Sequence, residues 1–226
     1  IANKDVKRAF VKVGIGAEKK SRIISDKEKK ITAYHEAGHA ILFHVLPDVG
    51  PVHTVSIIPT GVGAAGYTMP LPEKDEMFNT KGKMLQNIMV DLGGRIAEEI
   101  IFKDVTTGAS QDIKQASKLA RAMVTQYGMS EKFGLMGLAT QENQYLTGRT
   151  VLNCGDATAA DIDQEVMKIL KNAYDEAKRL LRDDREAMDK IAAFLIEKET
   201  ITGKEFMKIF REVKGLPEPE EKKEGE

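Results

Sequence analysis

The sequence predicts a mainly α domain carrying one small β element. Three observations lead there. Apolar residues recur at three- and four-residue spacing through most of the chain after Ser25. One short stretch, 52–70, is instead rich in β-branched residues, glycine and proline. The 226 residues are enough to bury a core without disulfides.

Taken in order, residues 3–13 place Val6, Ala9, Phe10 and Val13 at helical spacing, and Gly14 and Gly16 end that helix. A basic connector, Glu18 to Arg22, follows. Ser25 opens the next helix, with Glu28 three residues on as its capping-box partner. Ile31, Tyr34, Ala37, Ile41, Leu42, Val45 and Leu46 form its apolar positions, and Pro47 stops it. Between 52 and 70, Val52, Thr54, Val55, Ile57 and Ile58 precede the Gly61–Gly66 run and Tyr67-Thr68-Met69. This reads as a hairpin-like sheet around a glycine-rich loop.

Helix 80–102 aligns Leu85, Ile88, Met89, Leu92, Ile96 and Ile100. Helix 110–127 aligns Ile113, Ala116, Leu119, Ala120, Met123 and Tyr127, with Gly128 in the position after its C-cap. The stretch from Gly134 to Gly155 reads as loop. Helices over 157–182, 184–198 and 202–213 complete the pattern, the last entered from Thr202. The charged, proline-punctuated tail from Pro217 to Glu226 reads as disordered.

Composition excludes several function classes. Lys plus Arg is 34 and Asp plus Glu is 35, so the net charge of −1 gives no bulk attraction to nucleic acid or anionic membrane. Aromatics are 6% and Trp is absent, which disfavours a base-stacking platform. The single cysteine, Cys154, excludes an internal disulfide framework and a Cys-rich zinc ribbon. No apolar run has the length of a membrane span, and the start shows no signal-peptide core. The chain does not begin with Met, so a fragment or processed product is expected.

The chemistry resides in His35-Glu36-Ala37-Gly38-His39, an H-E-x-x-H within a helix. Residues i and i+4 stack on one helix face, so two imidazoles can converge on one ion. Glu36 lies about 100° further round the helix. There it can take a proton from water at the metal rather than bind the metal. The bland alternative is a pair of buried histidines beside a solvated glutamate, but that needs two separate buried hydrogen-bond partners.

A third ligand must come from elsewhere. The extended pattern H-E-x-x-H-x-x-G-x-x-H fails, because Leu42 and Val45 stand where it needs Gly and His. His44 points to another face, and His53 could reach only if the chain doubled back. Among the carboxylates Asp91, Glu98, Glu99, Asp104 and Asp112, two candidates stand out. Glu98 and Glu99 follow the Gly93-Gly94 pair, with Glu99 one turn past apolar residues. Asp112 follows the capping segment Thr106–Ser110 and shares the core face of Ala116, Leu119 and Met123. Spacing alone leaves these two readings open.

Five separated segments then resemble one family. Glu18-Lys19-Lys20-Ser21-Arg22 leads to Tyr34-His35-Glu36-Ala37-Gly38-His39-Ala40. Leu92-Gly93-Gly94-Arg95-Ile96-Ala97-Glu98-Glu99, Thr107-Gly108-Ala109-Ser110-Gln111-Asp112 and Tyr127-Gly128-Met129-Ser130 follow. The chain resembles the peptidase domain of the FtsH family, membrane-anchored ATP-dependent zinc proteases. The resemblance implies a helical zincin-type peptidase fold and one Zn²⁺ per chain, held by His35, His39 and Asp112. It implies Glu36 as general base and leaves Glu98 and Glu99 as supporting residues. It further implies residues 1–16 as the end of an upstream ATPase module, 17–214 as the peptidase and 215–226 as a tail. ATP would belong only to the upstream module, since no G-x-x-x-x-G-K-[ST] is present.

The implied partners are unfolded polypeptides and further copies in a homo-hexamer, with no nucleic acid. Membrane contact would come only through upstream segments, placing the full-length protein in the bacterial inner membrane with this domain facing the cytoplasm. Thr54 to Ile58 reads either as an edge strand that pairs with substrate or as an internal strand. Gly61 to Gly66 reads as a cleft rim or a plain surface loop. A rival from another class is a non-catalytic ring scaffold braced by a structural metal.

Overall fold

The computed structural model describes residues 13, 24–60, 65–70, 77–142 and 149–217. Apart from Val13, the helix expected over 3–13 and the connector after it lie outside the described residues. So do most of the glycine-rich run and the tail beyond 217. The described residues form six α-helices, one three-stranded sheet and one two-stranded hairpin.

Helix α1 (Asp26–Val45) begins at a full capping box. The Ser25 hydroxyl accepts from the Glu28 amide at 3.2 Å, and the Glu28 carboxylate accepts from the Ser25 amide at 3.3 Å. Strands β1 (Val52–Ser56) and β2 (Tyr67–Pro70) pair antiparallel, with Val55 opposite Thr68. Helix α2 (Lys81–Phe102) starts from Thr80, whose hydroxyl accepts from the Lys83 amide, and ends at Lys103 in the left-handed region.

A 3₁₀ turn (Thr107–Ala109), capped by Thr106, leads directly into α3 (Ser110–Thr125). The segment expected to cap α3 therefore caps this turn, and α3 itself has no side-chain cap. Gly128 adopts φ 61° three residues past α3, where the chain reverses. Strands β3 (Ala139–Glu142) and β4 (Arg149–Leu152) form an antiparallel hairpin inside the stretch expected to be loop. Four-residue strands are too short for alternation to show. Helices α4 (Asp156–Asp183) and α5 (Arg185–Lys198) follow, then β5 (Thr200–Thr202) and α6 (Gly203–Lys214). A second capping box, Thr202 with Glu205, opens α6.

The sheet order is β2-β1-β5, both pairs antiparallel. Strand β1 is thus internal, not the edge that one reading expected. β5 closes its second side from about 145 positions along the chain, and three residues carry no readable strand signal.

Helices α1 and α2 form the centre of the fold. A methyl group at Gly38 would lie 2.6 Å from the Gly93 carbonyl oxygen and 2.7 Å from Ala97 Cβ, so the two backbones touch. Around this crossing Ile41, Leu42, Ile88, Ile96, Met123, Ile162, Leu181, Ile191, Leu195 and Phe206 are fully buried. Among the described residues, no helix is long and apolar enough to cross a membrane.

Candidate metal centre

His35 and His39 occupy successive turns of α1, with their Nε2 atoms 3.1 Å apart. Asp112, in the first turn of α3, brings Oδ2 to 3.3 Å from His35 Nε2 and 3.9 Å from His39 Nε2. Among the described residues these three form the group able to hold a metal ion.

The tautomers follow from what backs each ring. His39 Nδ1 lies 2.7 Å from the Val90 carbonyl oxygen, which can only accept, so Nδ1 carries the hydrogen. His35 Nδ1 likewise donates to Glu98 Oε1 at 2.8 Å. Both Nε2 lone pairs therefore face one another and the Asp112 carboxylate. Three acceptors at this range repel unless a cation lies among them. A tetrahedral zinc with bonds of about 2.0–2.1 Å sets its donors about 3.3 Å apart; two of the separations match this closely, and the His39–Asp112 distance of 3.9 Å is longer. Two imidazoles and a carboxylate also suit zinc chemically.

The electrostatics carry the same demand. Burial opposes charge on His35, but hydrogen bonds to Asp112 and Glu98 and the charge of Glu36 outweigh it and push its pKa up to about 10. Burial, then the charge on His35, lowers His39 to about 4. One proton thus occupies the cluster when no metal does. Burial also works against ionised Asp112 and Glu98, yet the hydrogen bond each makes with His35 helps hold both below the usual carboxylate range.

Glu98 is 1% exposed and accepts a second bond, from the Thr106 amide at 2.8 Å. It therefore links the His35 ring to the turn that delivers Asp112. The Arg95 guanidinium grips the Thr106 carbonyl at 2.6 Å. Gly94 lies directly beneath the His35 ring, where any side chain would collide with it.

Glu36 is 5% exposed and stands outside the three-ligand group. The Thr68 hydroxyl on β2 lies 2.8 Å from Glu36 Oε2 and 3.1 Å from the Glu36 carbonyl oxygen, both as acceptors. Burial pushes the Glu36 carboxyl up to about 7, against the opposing pull of His35 and Thr68.

The remaining candidates lie elsewhere. Glu99 is half-buried, as expected, and bonds Lys178 Nζ at 2.6 Å and the Tyr174 hydroxyl; the fully buried member of the pair is Glu98. One residue along a helix is about 100° of rotation, which carries Glu98 inward and Glu99 toward α4. His53 on β1 bonds the Thr54 hydroxyl at 2.8 Å. The His44 ring packs edge-on against Phe206 and Phe210 of α6. Asp104 bonds the Val105 amide. Asp91 keeps one buried oxygen without a hydrogen-bond partner, and burial, then the charge on Asp112, pushes its pKa up to about 7.

Sequence reasoning did not find Val90, Thr106 or Thr68. The first acts through its carbonyl and the second through its amide, which no side-chain pattern reveals. The Gly93-Gly94 pair inside a helix was the available signal for a close approach at that point.

Comparison with known proteins finds clear relatives of the chain. The chain is 47% identical over 209 residues to the ATP-dependent zinc metalloprotease FtsH of Clostridium perfringens, covering 92% of the chain and 29% of that protein. It is 47% identical over 208 residues to the protein of the same name from Caldicellulosiruptor bescii, covering 91% and 34%. For the FtsH of Thermotoga maritima the identity is 44% over 215 residues, covering 94% and 35%. The chain thus spans about a third of the length of these curated relatives. The family description "Peptidase family M41" matches residues 22–209, most of the sequence, and the chain belongs to that family.

Proposed function

We propose that this chain is the zinc-dependent endopeptidase domain of an ATP-dependent protease and hydrolyses peptide bonds of unfolded or damaged proteins. The observation that carries the reading is the convergence of His35 Nε2, His39 Nε2 and Asp112 Oδ2 beside the buried carboxylate of Glu36. In this reading those three residues hold the metal. Zinc bound there would polarise the scissile carbonyl and make water acidic near neutral pH.

The chain's own residues do the rest. Val90 and Glu98 fix the two imidazoles in the Nδ1–H tautomer, so that Nε2 is free for the ion. Glu36 takes the proton from the attacking water and passes it to the departing amine nitrogen. Burial raises the affinity of the Glu36 carboxyl for a proton, which favours its taking one from water. Substrate would bind extended. With β1 internal, β2 is the edge strand nearest Glu36 among the described residues, and it is where a substrate chain would pair.

The family resemblance extends the reading to the whole protein, and the relatives' names supply its ATP dependence. An upstream ATPase module ending near residue 16 would deliver unfolded chains to a peptidase unit over 17–214. A homo-hexameric ring and an inner-membrane anchor, with this domain on the cytoplasmic side, would come with that module.

The test compares casein cleavage by wild type and Glu36→Gln, with bound metal measured in both. The reading expects zinc in both and cleavage only in wild type. Equal cleavage by Glu36→Gln would remove Glu36 from the mechanism. Zinc in both and cleavage in neither, even with the upstream module restored, would favour a structural metal in a scaffold.

A further inference from the structure

We propose that Thr68 is the positioning residue for Glu36, its hydroxyl pinning one carboxylate oxygen so that the other faces the reacting water. The inference rests on the function proposed above and concerns how the base is held.

Glu36 has three side-chain torsions and lies in a buried setting, where a carboxylate needs a hydrogen-bond donor. Among the described residues, Thr68 Oγ1 supplies that donor, at 2.8 Å from Oε2. The same hydroxyl lies 3.1 Å from the Glu36 main-chain oxygen, so it sits over both ends of the residue. Its own position is fixed, because Thr68 pairs with Val55 of the internal strand. A β-branched residue in a strand also has few rotamers available.

The second oxygen is constrained from the backbone side. A methyl group at Gly66 would lie 2.9 Å from Glu36 Oε1 and 2.6 Å from the Ser56 carbonyl oxygen. The chain entering β2 therefore passes close over Oε1 without filling its place. Thr68 holds Oε2, Gly66 leaves room for Oε1, and together they define one orientation of the carboxylate. The donor belongs to the strand proposed to pair with substrate, so substrate register and base orientation share one element.

The experiment measures steady-state cleavage of a casein-derived peptide by Thr68→Val, Thr68→Ser and the double variant Thr68→Val/Glu36→Gln, beside wild type and Glu36→Gln. Zinc content and melting temperature are recorded for each. A second readout, free of turnover, is affinity for a peptidyl hydroxamate, whose acidic proton needs a correctly aimed carboxylate. Thr68→Val should lower kcat roughly 10- to 100-fold, a share of the 10²–10⁴ typical of a general base. KM should change less than about twofold and zinc should stay bound, since the metal ligands are untouched. Hydroxamate affinity should fall in parallel.

Thr68→Ser should restore most of the activity, and Thr68→Val should cost no further hydroxamate affinity once Glu36 is Gln. Three results would overturn the proposal: an unchanged kcat in Thr68→Val, an equal loss in Thr68→Ser, or the same loss of hydroxamate affinity in the Glu36→Gln background. Thr68→Ala carries the same expectations if Thr68→Val does not fold. A wild type that binds neither zinc nor hydroxamate would instead refute the proposed function itself.

Discussion

Gly94→Ala should cost the site its metal while leaving the fold standing. A Cβ at this position would lie 2.4 Å from His35 Cε1 and Nε2 and 2.6 Å from Cδ2. Carbon contacts become comfortable only near 3.5 Å, so the ring must retreat by about 1 Å. It cannot retreat freely. Glu98 holds Nδ1 at 2.8 Å, and Nε2 lies 3.1 Å and 3.3 Å from its two fellow donors. Any swing that relieves the clash breaks one of these relations, and functional constellations tolerate only about 0.5 Å. Zinc affinity should fall at least 10- to 100-fold, the range for losing an outer partner of a ligand. Folding stability should move much less. Alanine gains about 1 kcal/mol over glycine inside a helix, and local overpacking costs about 1–3 kcal/mol. Gly82→Ala on the same helix is the control, because its new Cβ would meet nothing nearer than 3.9 Å. It should stabilise the protein by up to about 1 kcal/mol and leave zinc binding unchanged. The assay is chelator competition on metal-depleted protein beside thermal melting. Gly94→Ala with wild-type zinc affinity would refute the steric argument.

Other perturbations separate the roles of the acidic residues. Asp112→Ala should abolish stoichiometric zinc, whereas Glu99→Ala, whose partners are Tyr174 and Lys178, should retain it; metal analysis of both variants decides. Glu98→Gln should weaken zinc about 10-fold by chelator competition, because one amide cannot accept from both His35 and the Thr106 amide. Asp91→Asn tests a buried charge in the metal-free protein. A carboxyl raised from 3.8 to about 7 contributes stability below pH 4 that is lost as pH climbs through 7. Melting in EDTA should therefore show Asp91→Asn gaining on wild type between pH 4 and 7 and holding level above, by about 1–2 kcal/mol once solvent access is allowed for. A constant offset across that range would show that Asp91 does not titrate there.

What the sequence made legible was local. His35, Glu36 and His39 announce themselves because helix geometry fixes their relation within five residues. The capping boxes at Ser25 and Thr202 are legible for the same reason, each written in four residues. The third ligand position was not. Asp112 and the Glu98/Glu99 pair were equally acceptable by face and spacing, and only the crossing of α2 and α3 with α1 separates them. That crossing turns Glu98 onto His35 and Glu99 onto α4. The sheet failed to read for a related reason. Whether β1 is edge or interior depends on β5, three residues that look like a helix entrance until they meet Thr54 to Ser56.

Helix α2 supplies none of the three donor atoms, yet the site depends on it at every point. The Gly38–Gly93 contact lets α1 and α2 approach without side chains between them. That approach puts the Val90 carbonyl within reach of His39, and Gly94 and Glu98, one and two turns further on, beneath and beside His35. Glu98 and Arg95 then hold Thr106, which sets the start of the turn carrying Asp112. Each donor is thus oriented by contacts that do not require the ion. A metal entering such a site would not have to order its ligands first, so the entropy cost of ordering falls on folding rather than on binding. The glycines of the Leu92–Glu99 segment are therefore as much a part of the candidate metal centre as the histidines, because a side chain at either would separate the helices or displace the ring.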